Sequence, residues 1–336
     1  MSFNTTALPD AFVDIDLPLA DRRDGKVRVS YRLPPTDDGV GRRLFVTTDR
    51  LSAFDRIIAG IPYKGQVLNE LAAWWFDRTS SIIGNHVIAV PDPNVLIATE
   101  TTPLAVEVVV RGAITGVTST SLWHMYEAGA RTIYGYHFPD GLRKNTLLPE
   151  PIVTPTTKPS AESGEHDAPI TWAEVIDLGL VESTMWDRVT AAAVAVFTEG
   201  QRVSADAGLI LADTKYEFGV VPDGPDAGTV LLIDEVHTPD SSRFWLASSY
   251  EDRLAAGVEP ESLDKEPVRR ALDDTGYRGD GEPPELGAAV IARTSERYID
   301  AYERLTGRSL EHGAYPVAER IAADLDRITA QRNEAP

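Results

Sequence analysis

Leu209-Ile-Leu-Ala-Asp-Thr-Lys-Tyr-Glu-Phe-Gly-Val-Val221, the turn residues Pro222-Asp-Gly-Pro-Asp-Ala-Gly228, and Thr229-Val-Leu-Leu-Ile-Asp-Glu-Val236 together read as a β-hairpin. Side chains alternate faces along an extended chain, so Asp213, Lys215 and Glu217 share one face while Ala212, Thr214, Tyr216 and Phe218 take the other. On the returning strand, Asp234 and Glu235 directly follow the apolar run Val230 to Ile233, which sets carboxylates at the mouth of a buried strand. Asp, Glu and Lys in one place suit a nucleotide polyphosphate with Mg²⁺: magnesium takes one or two carboxylates plus phosphate oxygens, and Lys supplies a point charge. The plainer alternative is a solvated sheet face laced with cross-strand ion pairs.

Working outward from the hairpin, the chain reads as α+β. Val27 to Tyr31 and Arg43 to Thr48 form a second hairpin around the turn cluster Pro34-Pro-Thr-Asp-Asp-Gly39. Leu68, Leu71, Trp74 and Trp75 at helical spacing predict a helix over Val67 to Arg78, and strand character returns at His86 to Val90 and Val106 to Val110. Pro149 to Pro169, rich in Pro, Thr, Ser and Gly, reads as a long loop, either functional or disordered. A helix is predicted over Thr184 to Gly200, with Val189, Ala192, Ala193, Val196 and Phe197 on one face and Ser183 or Thr184 as its N-cap. Beyond Pro260 the pattern is helical, chiefly Leu286 to Leu305 and Tyr315 to Ile328.

Composition removes whole classes of function. With 336 residues and 43% apolar content the chain can build one large or two medium cores. Its formal net charge of −20 repels nucleic acid, and no Cys is present to make a disulfide, a zinc-thiolate site or a thiol nucleophile. Any metal must therefore sit on oxygen or imidazole. The acidic N-terminus has no signal-like n- and h-regions, and no apolar run approaches the roughly 20 residues of a bilayer span. The expectation is a soluble, cytoplasmic protein without a membrane partner. His124, His137 and His237 show no metal-ligand spacing.

The runs Asp213-Thr-Lys-Tyr-Glu-Phe-Gly219 and Asp234-Glu-Val-His-Thr-Pro-Asp-Ser-Ser-Arg-Phe-Trp245 resemble the SAICAR synthetase (phosphoribosylaminoimidazole-succinocarboxamide synthase) family. The resemblance continues in order through Gly25-Lys-Val-Arg28, Thr48-Asp-Arg-Leu-Ser-Ala-Phe-Asp55, Lys64-Gly-Gln-Val-Leu-Asn69 and Glu107-Val-Val-Val-Arg-Gly112. Thr154-Pro-Thr-Thr-Lys158, Gly164-Glu-His-Asp167 and Leu263-Asp-Lys265 complete the series, so that it spans about Gly25 to about Gly307. The Thr-Ser-Thr-Ser-Leu-Trp123 run is similar to the longer plant- and yeast-like form, which suggests a monomer.

The resemblance implies two α+β lobes related to ATP-grasp with the site in the cleft between them, plus C-terminal helices. It divides the chain into an extension (1–24), a nucleotide-binding lobe (25–110), a substrate and metal lobe (111–280) and a helical segment (281–336). The implied reaction joins L-aspartate to the carboxylate of carboxyaminoimidazole ribonucleotide in de novo purine biosynthesis, using ATP and Mg²⁺ through an acyl phosphate. Carried over by motif, Lys26, Arg28, Glu107, Lys158 and Glu217 bind ATP, and Glu217 and Asp234 hold the metal. Asp213, Lys215 and Asp234 are the catalytic set. Ser52, Asp55, Arg111, Ser241, Ser242 and Arg243 receive the ribonucleotide, and Gly164 to Asp167 help form the aspartate pocket. His166 is not expected to act as the base.

Two departures stand out. Val29 replaces the Asp that usually follows the Gly-Lys-Val-Arg run, and Val117 replaces the Ser of Thr-Gly-Ser, both read as polar groups lost from ligand-lining positions. Thr118, Ser119 or Thr120 could supply the missing hydroxyl. The departures keep one alternative, a paralogue joining an amino acid to a related heterocyclic carboxylate in nucleoside-antibiotic assembly. A second, of another class, is a non-catalytic nucleotide-binding relative, against which the intact Asp213, Lys215, Glu217 and Asp234 set argues.

Overall fold

Two antiparallel sheets, packed side by side through helices, organise the molecule. The computed structural model describes residues 8–37, 39–54, 56–158, 167–277, 279 and 281–330. In chain order come β1 (Ala20–Asp24), β2 (Arg28–Leu33), β3 (Arg42–Thr47), β4 (Arg50–Ala53), β5 (Arg56–Gly60), α1 (Lys64–Thr79), β6 (Val87–Asp92) and β7 (Val95–Thr99). Then follow β8 (Thr102–Pro103), β9 (Val106–Ile114), α2 (Leu122–Glu127), β10 (Thr132–Ile133), β11 (Tyr136–His137), β12 (Thr146–Val153), β13 (Thr156–Thr157) and α3 (Trp172–Asp177). The remainder is α4 (Ser183–Asp206), β14 (Leu209–Val220), β15 (Val230–Ile233), β16 (Ser242–Leu246), α5 (Ala247–Ala256), α6 (Glu266–Asp274), α7 (Ala288–Thr306), α8 (Val317–Ala323) and α9 (Leu325–Thr329).

The first sheet runs β1-β2-β3-β7-β6. The predicted early hairpin is its centre, with Val29 opposite Val46 and Tyr31 opposite Leu44. Alternation sends Val29, Tyr31, Leu44 and Val46 into a core closed by Phe12, Ile15 and Leu17 before the sheet and by Val317, Ile321 and Ile328 after it. Described segments before and after the sheet thus seal one face of it.

The second sheet is built on β14. One edge pairs with β9 and then β8, the other with β16 and then β15, while β12 and β13 lie beyond β9. The helix predicted from the Val189/Val196/Phe197 stripe is α4, which buries Trp186, Val189, Ala193, Val196 and Phe197 against Val108, Val110, Tyr216, Phe218 and Phe244. Burying that greasy face leaves the opposite face to carry charge. A bulge between Leu211 and Asp213 interrupts the alternation, so Leu211 joins the α4 core while Ala212 packs with Trp245 and Tyr250.

Three local expectations are corrected. The N-cap of α4 is Glu182, whose side chain accepts the Met185 amide at 3.0 Å; Ser183 and Thr184 already lie in the first turn. The segment Pro149 to Pro169 is not wholly a loop: Ile152 and Val153 pair with Arg111 and Val110, and Thr156 and Thr157 with Glu107 and Val106. Proline is compatible with such an edge, and the register shift between Leu147 and Ile152 brackets Pro149 and Pro151. The helix expected over Tyr315 to Ile328 is two short ones, α8 and α9, meeting at Asp324.

Candidate active site

The exposed face of the second sheet carries two adjoining charged groups. In the first, Lys215 Nζ lies 2.7 Å from Glu107 Oε1 and 2.9 Å from Glu217 Oε1, and Lys158 Nζ lies 2.5 Å from Glu217 Oε2. The backbone explains the meeting: Lys215 and Glu217 are two apart on β14, Glu107 is on the neighbouring β9, and β13 delivers Lys158 along the far edge of β9. Thr156 Oγ1 donates to Glu107 Oε2 at 3.3 Å. Burial opposes charge on Glu217, but Lys215 and Lys158 overcome it and hold the carboxyl at about 2. Burial likewise works against the Lys215 ammonium, and the flanking Glu217 and Glu107 hold its pKa far above the ordinary lysine range.

The second group centres on Asp213. Register places Arg111 of β9 on one side of it and Arg243 of β16 on the other. Their Nη1 atoms reach Asp213 Oδ2 at 3.2 and 2.8 Å. Arg111 is buried and further held by Thr154 Oγ1 at 2.7 Å and the Thr120 carbonyl at 3.1 Å. Asp213 therefore shares a face with Lys215 and Glu217, as its spacing predicts, while its carboxylate is engaged by arginines. Beside it, Ser242 Oγ is 2.7 Å from Thr214 Oγ1, and the Ser241 carbonyl accepts from the Lys215 amide at 3.0 Å.

Asp234 links the two sheets. It follows Ile233, the ladder partner of Glu217, and sits in the left-handed region at φ 69°. Arg28 of β2 donates to its backbone carbonyl at 2.9 Å and pairs with its Oδ1 at 2.9 Å. Glu235 next to it is hydrogen-bonded by the Thr238 hydroxyl, and burial raises its carboxyl pKa. Among the described residues no three Asp, Glu or His side chains form a ready-made metal cage.

Lys26 is exposed at the turn where the Gly25 amide donates to the Arg28 carbonyl. Ser52 lies on β4, and its carbonyl accepts from Lys265 Nζ at 3.0 Å. Asp167 is exposed, with its negative charge acting on Glu107. Asp55 and Gly164 to His166 lie outside the described residues. His237 is a core residue, fully buried against Trp75 and 2.5 Å from the Tyr216 hydroxyl.

The two departures separate. Val29 is fully buried in the core behind the first sheet, so its side chain lines no ligand site and its reading as a lost ligand group is overturned. Val117 is 70% exposed, and the hydroxyls beside it are gathered: Thr118 Oγ1 is 2.7 Å from Ser121 Oγ and 3.5 Å from Thr120 Oγ1. Sequence reasoning gave no role to Lys64, Asp240 or Tyr298, which converge behind the Ser241–Arg243 segment. The signal available was Lys64 opening one family-like run and Asp240 inside another. Among the described residues no helix is long and apolar enough to cross a membrane.

The family model described as SAICAR synthetase matches residues 21–284. The phosphoribosylaminoimidazole-succinocarboxamide synthase of Legionella pneumophila (strain Paris) is 44% identical over 324 residues, covering 95% of this chain and 99% of the relative. The SAICAR synthase of Saccharomyces cerevisiae, solved in complex with SAICAR, superposes with a TM-score of 0.75 at 31% identity over 90% of this chain and 100% of that one. A SAICAR synthetase (Type-2) in complex with ADP gives a TM-score of 0.62 at 26% identity, covering 87% of this chain and 100% of the other.

Proposed function

The chain belongs to the SAICAR synthetase family, and from that premise we propose that it joins L-aspartate to carboxyaminoimidazole ribonucleotide with ATP, an amide-forming step of de novo purine biosynthesis. The observation that carries this reading is the pair of charged groups on one sheet face: a lysine–carboxylate group beside a two-arginine group.

A carboxylate acylates amines poorly because its leaving group is oxide or hydroxide. Phosphorylation solves this: a carboxylate oxygen attacks the γ-phosphorus and ADP leaves. The aspartate amine then attacks the acyl carbon, inorganic phosphate leaves, and the nitrogen loses a proton. The protein's work in such a sequence is to place and neutralise phosphate charge. Lys215, Lys158 and Arg28 are held next to carboxylates they can exchange for phosphate oxygens, with Lys26 at the turn before β2. Glu107 sits at the start of β9, where the second sheet takes over from the first, which suits the nucleoside end of ATP.

Arg111 and Arg243 present guanidinium forks suited to the ribonucleotide phosphate; Ser241 and Ser242 precede Arg243 on the same segment, and Ser52 is tied to that segment through Lys265 and Asp240. Asp213 keeps the two cations from repelling one another and sets their spacing. Asp167, with the segment before it, serves the aspartate substrate. Glu217 and Asp234 would hold Mg²⁺: both are oxygen donors, Asp234 directly follows the ladder partner of Glu217, and both carboxylates act on Lys215. Bound there, the ion would supply charge neutralisation at the transferring phosphoryl group.

We assign residues 25–110 to the nucleotide lobe and 111–280 to the substrate and metal lobe; of the flanking segments, residues 12–17 and α8–α9 seal the first sheet, while α7 packs on α1 and α6. The protein acts as a cytoplasmic monomer in this reading. The test is purified protein with ATP, Mg²⁺, carboxyaminoimidazole ribonucleotide and L-aspartate, following ADP and the succinocarboxamide product. Stoichiometric formation of both is expected. ADP release only with a different acid or amine would replace the substrate assignment, and nucleotide binding without any turnover would replace catalysis itself.

A further inference from the structure

Behind the Ser241–Arg243 segment lies a buried ionic cluster that none of the steps above uses. Asp240 Oδ2 is 2.7 Å from Lys64 Nζ, and its Oδ1 accepts from the Tyr298 hydroxyl at 2.5 Å and lies 3.5 Å from Lys265 Nζ. The Asp240 side chain is 6% exposed, and Lys64 and Tyr298 are fully buried. These partners come from distant parts of the chain: Lys64 opens α1, Lys265 precedes α6, and Tyr298 is on α7. Lys64 also lies over the Tyr298 ring at 5.5 Å, and α7 is pinned to the start of α1 by Ser295, whose hydroxyl donates to the Pro62 carbonyl at 2.7 Å.

Ion pairs this deep are a poor source of stability, since desolvation offsets most of the attraction. What they do well is fix geometry, and the geometry here is that of the ribonucleotide site. Asp240 immediately precedes Ser241, Ser242 and Arg243. Its amide donates to Thr238 Oγ1 at 3.3 Å, and the amides of Ser241 and Ser242 donate to the Thr238 carbonyl at 3.2 and 2.9 Å, a tight turn with little slack. Lys265 couples a second piece, because the ammonium that meets Asp240 also holds the Ser52 carbonyl at 3.0 Å.

We propose that Asp240 is a positioning residue for the ribonucleotide site: anchored by Lys64, Lys265 and Tyr298, it sets the Ser241–Arg243 segment and Ser52 at a fixed separation. Through Tyr298 the C-terminal helical segment, remote in sequence, takes part in substrate recognition. The proposal rests on the preceding reading for what this segment binds. Asp240 does not itself touch substrate, since its two oxygens are taken by three donors.

The decisive variant is Tyr298→Phe, which removes one hydroxyl and keeps the ring over Lys64. The expected result is a KM for the ribonucleotide raised about tenfold, the worth of one hydrogen bond to a charged group, with kcat and the KM for ATP within about twofold of wild type. Amide hydrogen exchange gives a second readout that needs no turnover: Ser241 and Ser242 should lose protection in the variant while α4 does not. Asp240→Asn should show the same pattern more strongly. An unchanged ribonucleotide KM, equal changes in every kinetic constant, or unchanged protection at Ser241 and Ser242 would overturn the proposal. Absence of wild-type turnover on this substrate pair would instead overturn the functional reading, and the exchange measurement would still decide whether Asp240 positions the segment.

Discussion

Arg111 and Arg243 converge on a single carboxylate oxygen, Asp213 Oδ2, from strands on opposite sides of it. Two like charges so close are tolerable only because the carboxylate lies between them. They are not equivalent, since the Arg111 side chain is 7% exposed and that of Arg243 is 29% exposed. Arg111 is held in place by Thr154, Thr120 and Asp213, so its loss costs the framework as well as the site, while Arg243 is freer to turn to a ligand.

The first prediction follows from that asymmetry. Arg111→Met should destabilise the protein by about 3 kcal/mol, because a buried pair loses one partner. Arg243→Met should change stability by less than about 1 kcal/mol and raise the ribonucleotide KM at least about tenfold. Urea unfolding together with initial rates separates the two. Equal stability losses would show that both arginines are framework.

Lys215 stands between Glu107 and Glu217, and removing its ammonium leaves two carboxylates facing a nucleotide that is itself anionic. Lys215→Met should lower kcat by about 100-fold or more, the scale of losing one preorganised charge donor. It should also weaken ATP binding. Lys215→Arg should recover part of the nucleotide affinity. ADP release and nucleotide titration measure both, and a Lys215→Met rate near wild type would reduce the group to the plain cross-strand ion pairs that alternation alone allows.

How far the sequence could be read depended on the range of the forces involved. The hairpin around Asp213 and Asp234, the helix at Val189 to Phe197 and the early hairpin at Val29 to Val46 were legible because period and turn chemistry are local. Asp213 paired with two arginines was not legible, because that depends on β9 and β16 flanking one strand, about 100 and 30 residues away. Val29 misled for the same reason. Its neighbour Arg28 faces the cleft, and only the packing of Phe12 and Ile321 shows that position 29 faces the core. The anchor at Asp240 needed Lys64 and Tyr298, separated from it by 176 and 58 residues, to be seen together.

Asp234 offers a substitution that tests chemistry without disturbing the fold. Its φ of 69° is a conformation that Asn tolerates well, and an amide oxygen can still accept from Arg28. Asp234→Asn should therefore keep its unfolding midpoint and its circular dichroism while turnover disappears, since the lost negative charge is what a Mg²⁺-bound phosphate would need. A near-normal rate would remove Asp234 from the metal site.

The last prediction concerns acid. Burial pushes His86 down to about 3, and Arg28 adds to the effect; burial does the same to His237. His86 packs between Phe45 and Phe76, with ring centroids at 6.0 and 5.2 Å. An unfolded histidine titrates near pH 6.5, so between roughly pH 6.5 and 3 the unfolded chain binds a proton that the native state refuses. Stability must then fall as pH falls through that window, by about 1.4 kcal/mol per pH unit for each such histidine. His86→Leu keeps an apolar side chain between the two phenylalanines and removes one share of that slope. Comparing urea unfolding at pH 7 and pH 5, the variant should lose about 2 kcal/mol less than wild type. Equal losses in the two proteins would mean that His86 accepts its proton without unfolding, and that solvent reaches the ring between β3 and α1.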